Sequence, residues 1–172
     1  MAILDIVKIP DEVLRKVARP VDQIDKKLRS FLDDMLDTMY DAPGIGLAAP
    51  QVGVLLRVVT IDCAGEDEDP TPLCFVNPKI VSVSEELSVY SEGCLSIPEF
   101  YADVERPVSC GVKYQDRNGV DRELLCEGLL ATCIQHEIDH LDGVLFIDYI
   151  SRLKRERIMK KFIKLAKLSD AS

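Results

Sequence analysis

The chain has 172 residues, of which 47% are hydrophobic and 30% charged, so it is long enough to bury one core without disulfide bonds. A net charge of −9 argues against free DNA or RNA as a ligand, no apolar run reaches the length of a membrane span, and the N-terminus lacks the regions of a signal peptide. We therefore expect one cytoplasmic domain over residues 1–172, in which the six cysteines stay reduced.

The predicted elements begin with an amphipathic helix over residues 25–40, which Asp25 can cap. The proline and glycines of 41–46 end this helix. Strands are predicted at 54–62, 74–83, 104–115 and 120–126. An acidic loop at 65–72 separates the first two strands, and an Asn-Gly turn at 116–119 joins the last two.

Two further helices are predicted after the strands. The first spans about 128–142 and is followed by Gly143, which suits a helix C-terminus. Ser151 can cap the second, which runs to about Leu168. A run of strands followed by helices favours the α+β class with antiparallel pairing.

The chain's two histidines, His136 and His140, lie one turn apart on the first of these helices. With Glu137 they form the HExxH pattern, in which two imidazoles bind a metal and the glutamate acts as a general base. A solvated surface helix is the alternative, but the residues before His136 are mostly apolar and indicate burial. Two buried imidazoles without a partner would be costly, which favours a metal.

A metal at this pair needs a third protein ligand. The downstream candidates are the acidic residues Asp142, Asp148 and Glu156, of which Glu156 lies on a basic helix. Upstream, Cys94 in the sequence EGCLS offers a thiolate, which is a strong ligand for a borderline-soft divalent metal. Taken alone, a cysteine beside a glycine is more often structural.

A glycine-containing segment, GIGLAAPQVG, occupies residues 44–53. Its glycines either turn the chain between a helix and a strand or let a ligand approach the backbone closely. Gln51 is a polar side chain in this otherwise apolar stretch, which makes it a candidate functional residue.

In this order and spacing, GIGLAAPQ, EGCLS and QHEIDH resemble the three signature motifs of the peptide deformylases, and the resemblance covers nearly the whole chain. It implies an α+β fold in which antiparallel sheets pack around a central HExxH helix, with N-terminal and C-terminal helices. The implied reaction is removal of the formyl group from N-formylmethionine at the N-terminus of nascent polypeptides, by attack of a metal-bound water.

The resemblance also implies the roles of the motif residues. The implied metal ligands are Cys94, His136 and His140, and the family metal is usually Fe²⁺, for which Zn²⁺, Ni²⁺ or Co²⁺ can substitute. Glu137 is the implied acid and base, while Gln51 and the backbone N–H of Leu95 form the oxyanion hole.

The chain departs from the pattern of some members at one position. They carry an arginine three residues after the proline of the second motif, where this chain has Tyr101. The chemistry is unaffected, but support of that loop by this arginine is absent, and Arg106 is the candidate to replace it.

A pocket for methionine is predicted beside the metal. Leu129 and Cys133 share one face of the HExxH helix with the histidines and would form an apolar wall there. Ile45, Gly46 and Tyr90 would close the slot, which suits a straight apolar side chain. The alternative is that Leu129 and Cys133 belong to the core.

Two other functions remain open from the sequence. The first is an HExxH protease, which needs a downstream third ligand. The second is a closed structural metal site in a non-enzymatic protein, with Cys133 or Cys126 as fourth ligand.

The last predicted helix is strongly basic. Residues 152–167 hold eight basic side chains and one acidic side chain, together with an apolar stripe. Such a helix on an acidic protein either docks on the body by charge attraction or anchors the protein to the ribosome through its RNA or protein.

Overall fold

The computed structural model describes residues 2–170, and within this range it contains three α-helices and seven β-strands. The helices are α1 Lys26–Asp41, α2 Gly128–Leu141 and α3 Arg152–Asp170. The strands are β1 Gly46–Ala48, β2 Val58–Ile61, β3 Leu73–Val83, β4 Leu87–Cys94, β5 Ile97–Pro107, β6 Ser109–Gln115 and β7 Asp121–Glu127. Short 3₁₀ turns lie at Glu12–Arg15, Ala49–Val52 and Phe146–Tyr149.

The strands form two antiparallel sheets. One has five strands in the order β1-β2-β3-β6-β7, and the other is the β4-β5 hairpin. This arrangement confirms the predicted α+β class. No helix in the range 2–170 is both long and apolar enough to cross a membrane.

Helix α1 forms as its apolar spacing predicts. The Asp25 carboxylate accepts the N–H of Leu28 at 2.9 Å and caps the first turn. Leu32, Met35 and Met39 are fully buried on one face, which packs over β1 and β2. The observed bounds differ from the predicted 25–40 by one residue at each end.

The predicted strand at 104–115 is wrong as one element. Its first part belongs to β5 and pairs with β4, whereas its second part is β6 and pairs with β3 and β7. Pro107 ends β5, because proline has no N–H to continue a ladder. The same position therefore marks a change of sheet.

The predicted strand at 54–62 begins later than expected, at Val58. Residues 55–57 instead bind the N-terminal segment through the backbone. The backbone N–H of Arg19 donates to the Leu55 carbonyl at 2.9 Å, and the backbone N–H of Arg57 donates to the Arg19 carbonyl at 2.8 Å. Strands β1 and β4 were not predicted.

Helix α2 lies at the centre of the molecule. Its residues from Ala131 to Ile138 are all buried, and it packs against β1, β2 and β7. Gly143 follows it with a φ of +76°, and a Cβ there would lie 2.5 Å from the Arg15 carbonyl oxygen. The predicted end of this helix at Gly143 is thus confirmed, because this close packing excludes a side chain.

Helix α3 packs on a cluster of buried side chains that includes residues of β5 and of the Phe146–Tyr149 turn. The Ser151 hydroxyl accepts the N–H of Lys154 at 3.3 Å, as the predicted cap requires. Ile158 and Phe162 are buried beside residues of β5 and of the Phe146–Tyr149 turn. The Phe162 ring meets Phe100 edge-on, with centroids 5.7 Å apart.

Candidate metal centre

Three potential ligands converge where the β4-β5 hairpin meets α2. Cys94 ends β4, and His136 and His140 lie on successive turns of α2. One ligand atom from each lies within 4.8 Å of the others, and Cys94 Sγ is 3.3 Å from His140 Nε2. One thiol and two imidazoles at this separation fit a single divalent cation, since thiolate and imidazole nitrogen are its usual tetrahedral ligands.

The two imidazole rings are oriented by their surroundings. His136 Nδ1 lies 2.9 Å from Glu92 Oε1, so its Nε2 faces Cys94. A carboxylate on the outer nitrogen fixes the tautomer that leaves Nε2 free to bind metal. Among the described residues, the buried Nδ1 of His140 has no hydrogen-bond partner.

Glu92 is itself held by a buried arginine. Arg106 donates two hydrogen bonds to the Glu92 carboxylate, at 2.7 and 3.0 Å, and a third to Asp139 at 2.9 Å. The Tyr149 hydroxyl donates to the same Asp139 oxygen at 2.8 Å, and its ring stacks against the guanidinium. The chain of contacts therefore runs from the surface turn at Tyr149 to His136.

The charges in this network shift the pKa values of its members. Burial acts to raise the pKa of Glu92, but hydrogen bonds from His136 and Arg106 hold it below its ordinary value. Burial lowers the pKa of His140 well below its usual range. Neutral imidazole, the form in which a histidine binds a metal, is therefore the form favoured at His140.

Glu137 lies beside the three ligands and is 4% exposed. Burial raises its pKa to about 7. Its Oε1 is 3.9 Å from His136 Nε2, and within the described part of the chain its buried Oε2 has no hydrogen-bond partner. One carboxylate oxygen is therefore held in the interior beside the ligands without a partner among the described residues.

Gln51 reaches the centre from the turn that follows β1. Its side-chain carbonyl accepts the N–H of Ala48 at 2.9 Å, which orients the amide nitrogen toward Cys94 and Ser96. That nitrogen is 3.2 Å from Ser96 Oγ and 3.5 Å from Cys94 Sγ. The Gln51 amide is thus fixed with its donor at the edge of the ligand cluster.

A cavity of about 1130 Å³ opens over these residues. Ten of the predicted site residues line it: Ile45, Gly46, Gln51, Tyr90, Cys94, Leu95, Leu129, Cys133, His136 and Glu137. His140 does not line the cavity but lies deeper in the protein, where it is 1% exposed. The structure therefore brings all of the predicted site residues to one place.

Close packing at Gly46 shapes the cavity. A Cβ at this position would lie 2.8 Å from Cys133 Sγ and 3.0 Å from Glu137 Oε1. Because Gly46 has no side chain, the backbone of β1 can lie close against α2, and the cavity keeps its space beside Glu137.

The side chain at position 101, where some members of the resembling family have an arginine, is a tyrosine that packs on the neighbouring strand. The Tyr101 ring lies over Gly93, where a Cβ would come within 2.5 Å of it. Arg106 does support the EGCLS segment, through its buried ion pair with Glu92. The sequence indicated Arg106 as a replacement and gave no signal for its partners Glu92 and Asp139.

The alternative ligands from the sequence are engaged elsewhere. Asp142 pairs with Arg57 at 3.0 Å, and Asp148 pairs with Arg15 at 2.7 Å. Glu156 pairs with Arg152 on the surface of α3.

The cysteines considered as a fourth ligand are also placed differently. Cys126 faces Cys110 across β7 and β6, and Cys133 lies in the same buried hydrophobic cluster, with its sulfur 4.0 Å from the Ile45 carbonyl oxygen. Neither belongs to the ligand group found among the described residues.

Comparison with known sequences gives one consistent result. The sequence model of the family described as polypeptide deformylase matches residues 3–156. The chain is 60% identical over 167 residues to a peptide deformylase of Mesorhizobium japonicum, covering 97% of this chain and 95% of that protein. It is 58% identical over 169 residues to one of Afipia carboxidovorans, covering 98% and 99%.

Solved structures agree with the sequence comparison. The fold is similar to the crystal structure of a peptide deformylase from Legionella pneumophila, with a TM-score of 0.88, 47% identity and 99% of each chain covered. It is also similar to a peptide deformylase from Ehrlichia chaffeensis in complex with actinonin, with a TM-score of 0.91, 40% identity and coverage of 95% and 98%.

Proposed function

The chain belongs to the polypeptide deformylase family and is a hydrolase that removes N-terminal formyl groups, and we propose a role in this reaction for each residue of the cavity. The observation that carries the proposal is the convergence of a thiol, two imidazoles, a buried carboxylate with one unpartnered oxygen and a fixed amide donor. The substrate is the formyl-methionine end of a newly made polypeptide.

Cys94, His136 and His140 would hold the metal. A divalent ion in such a site lowers the pKa of water and polarises a carbonyl oxygen. Three protein ligands leave a coordination position open for chemistry, unlike a closed structural site. Cys94→Ser is therefore expected to lose metal and activity together, because a hydroxyl is a weaker ligand than a thiolate. Full metal content and rate in that variant would refute the assignment.

Glu137 would act as the acid and base. It would accept a proton from the attacking water and later give it to the leaving amine. Its burial and its unpartnered Oε2 support this role, because nothing within the described residues competes for that oxygen.

Gln51 and the backbone N–H of Leu95 would stabilise the negative oxygen that develops on the formyl group. The hydrogen bond from the Ala48 N–H holds the side-chain carbonyl of Gln51 away from the cavity, so the Gln51 NH₂ group is the one presented to it. Loss of one such donor typically costs about 10²–10³ in rate.

The methionine side chain would enter the apolar part of the cavity. Ile45, Gly46, Tyr90, Leu129 and Cys133 line it and are placed to form the slot. Leu129 is half-buried, as a pocket wall requires, whereas Cys133 is nearly fully buried.

One assay separates this function from peptide cleavage. Formyl-Met-Ala should release formate, while an unblocked peptide of the same length should stay intact. Cleavage of the unblocked peptide bond would favour an HExxH protease instead, and absence of both reactions from metal-loaded protein would favour a structural metal site.

We propose Fe²⁺ as the resident ion. This rests on the family resemblance, since the donor set suits Zn²⁺ equally well. Anaerobic purification is expected to give protein with much higher activity and with iron as the main metal. Equal activity from aerobic and anaerobic preparations, with zinc or nickel bound, would refute iron.

We further propose that α3 anchors the protein to the ribosome, in the cytoplasm, where formylated chains emerge. Its buried face uses Ile158 and Phe162, whereas Lys160, Lys164 and Lys167 are exposed. Exposed cationic side chains on an acidic protein suit salt-dependent contact with RNA phosphates.

Charge substitution tests this anchor better than deletion of the helix, because deletion would remove core side chains. Replacement of Lys160, Lys164 and Lys167 by glutamate should abolish co-sedimentation with ribosomes at low salt and leave turnover of formyl-Met-Ala nearly intact. Arginine at the same positions is the matched control. Unchanged co-sedimentation of the glutamate variant would refute the proposal.

A further inference from the structure

The hydroxyl of Ser96 is a buried polar group of the EGCLS segment to which the proposed function gives no role. Ser96 is 0% exposed, lies between β4 and β5 and does not line the cavity. Its Oγ accepts a hydrogen bond from Gln51 Nε2 at 3.2 Å, and Gln51 is itself 1% exposed. Because this amide is the proposed oxyanion donor, the hydroxyl can act on the reaction without touching the substrate.

The side-chain amide of Gln51 is held at both of its polar atoms. Its Oε1 accepts the backbone N–H of Ala48 at 2.9 Å. A backbone N–H can only donate, so its partner is the amide oxygen, and the nitrogen is the atom beside Ser96 and Cys94. Ser96 Oγ takes one of the two hydrogens on this nitrogen, which leaves the other for the side of the metal ligands.

The two proposed oxyanion donors come from different sheets. Gln51 lies in the turn after β1 of the five-stranded sheet, whereas Leu95, the residue directly before Ser96, belongs to the β4-β5 hairpin. Both donors must lie roughly 2.7–3.1 Å from one developing oxygen to stabilise it. The hydrogen bond between Gln51 and Ser96 joins the two loops at the donors themselves.

The backbones of the two loops are held together independently of this hydroxyl. In the N-terminal segment, the N–H of Val7 donates to the Gln51 backbone carbonyl at 2.7 Å, and the N–H of Ile9 donates to the Ser96 backbone carbonyl at 3.1 Å. Removal of the Ser96 hydroxyl therefore leaves the main-chain frame in place. What it releases is the direction of the Gln51 amide.

We propose that Ser96 is a positioning residue for Gln51, whose hydroxyl aims one amide N–H at the oxygen of the formyl group. The inference rests on the proposed role of Gln51 as an oxyanion donor. In Ser96→Ala, kcat for formyl-Met-Ala should fall roughly tenfold, a part of the 10²–10³ that complete loss of a donor costs. KM and metal content should stay unchanged, because the hydroxyl contacts neither the methionine slot nor the metal ligands.

A double-mutant cycle tests this role. We would measure kcat, KM, bound metal and melting temperature for metal-loaded wild type, Ser96→Ala, Gln51→Ala and the double variant. Since Ser96 acts through Gln51, its loss should cost roughly tenfold in the wild type and almost nothing once Gln51 is alanine. Ser88→Ala, at a half-buried serine of β4 in the same hairpin, is the matched control and should keep the wild-type kcat.

Three results would overturn the proposal: an unchanged kcat in Ser96→Ala, an equal loss in both backgrounds of the cycle, or a loss that only follows the amount of bound metal. A wild-type rate in Gln51→Ala would overturn the oxyanion role of Gln51 as well. If Ser96→Ala does not fold, Ser96→Cys takes its place in the same cycle, because a thiol fills the site but is a much weaker acceptor.

Discussion

At the scale of single residues, Arg106 decides how firmly the metal centre is held. Its guanidinium is 6% exposed and binds two carboxylates, of which Glu92 orients His136. Removal of Arg106 leaves the Glu92 charge buried without its partner, and the orienting carboxylate is then free to turn away.

Arg106→Ala is therefore expected to weaken metal binding by roughly 10–100-fold, as loss of outer-shell partners typically does. The free energy of unfolding should fall by about 3–5 kcal/mol, the usual cost of breaking a buried pair. Chelator competition and urea unfolding measure the two effects. Arg122→Ala, which breaks the exposed pair with Asp116, should change neither. Unchanged metal affinity in Arg106→Ala would contradict this role.

Glu137 should behave differently from the ligands. Glu137→Ala is expected to retain the metal while turnover of formyl-Met-Ala falls by roughly 10² or more, because proton transfer loses its carrier. Metal analysis beside a formate assay distinguishes the two effects. Loss of metal from this variant would instead make Glu137 a ligand or a structural residue.

The sequence predicted the metal ligands because they fall in short motifs, and the chain has two histidines for the site. It did not predict Glu92 and Asp139 as partners of Arg106. Glu92 and Arg106 are 14 residues apart and meet through the pairing of β4 with β5, whereas Asp139 comes from α2. Contacts of this kind depend on register and packing, which local patterns do not contain.

At the scale of elements, the three helices were predicted to within about two residues at each end. Their apolar spacing and their caps, Asp25 and Ser151, are local signals. Strands were predicted less well, since β5 and β6 look continuous in sequence but pair in different sheets. Pro107 is a local signal for the break, because a proline cannot donate to a continuing ladder.

The end of α2 offers a test of backbone constraint. Gly143→Ala should lower the free energy of unfolding by about 1–3 kcal/mol, the usual cost of a side chain in the left-handed region. Contact with the Arg15 carbonyl adds to this cost. Urea denaturation measures the change. Gly65→Ala, in an exposed loop where a Cβ would make only ordinary contact with the Glu68 side chain at 3.7 Å, is the control and should lose little. Equal stability of the two variants would contradict the packing described for α2.

At the scale of the whole molecule, charge is divided unevenly between the body and α3. The chain carries −9 overall, although α3 holds eight of the 21 basic residues. This asymmetry was readable from the sequence. The structure adds that the helix is attached through Ile158 and Phe162, so that most of its charge stays exposed.

The ligands of the metal centre come from two parts of the fold, since Cys94 belongs to the β4-β5 hairpin and both histidines to α2. An ion bound by all three is therefore a cross-link between segments 46 residues apart in the chain. Because it binds the folded state, it raises the melting temperature by mass action.

Chelation is accordingly expected to lower the melting temperature and to expose residues 87–107 to proteases earlier than the turn at 116–119. Mass spectrometry of limited digests locates the first cut. Identical digestion with and without metal would contradict the cross-link.

In the cell, the same linkage would connect the lifetime of the protein to the supply of its ion. Molecules that have lost the metal would open at the hairpin and be degraded first. Metal scarcity would then reduce the amount of enzyme as well as the activity of each molecule.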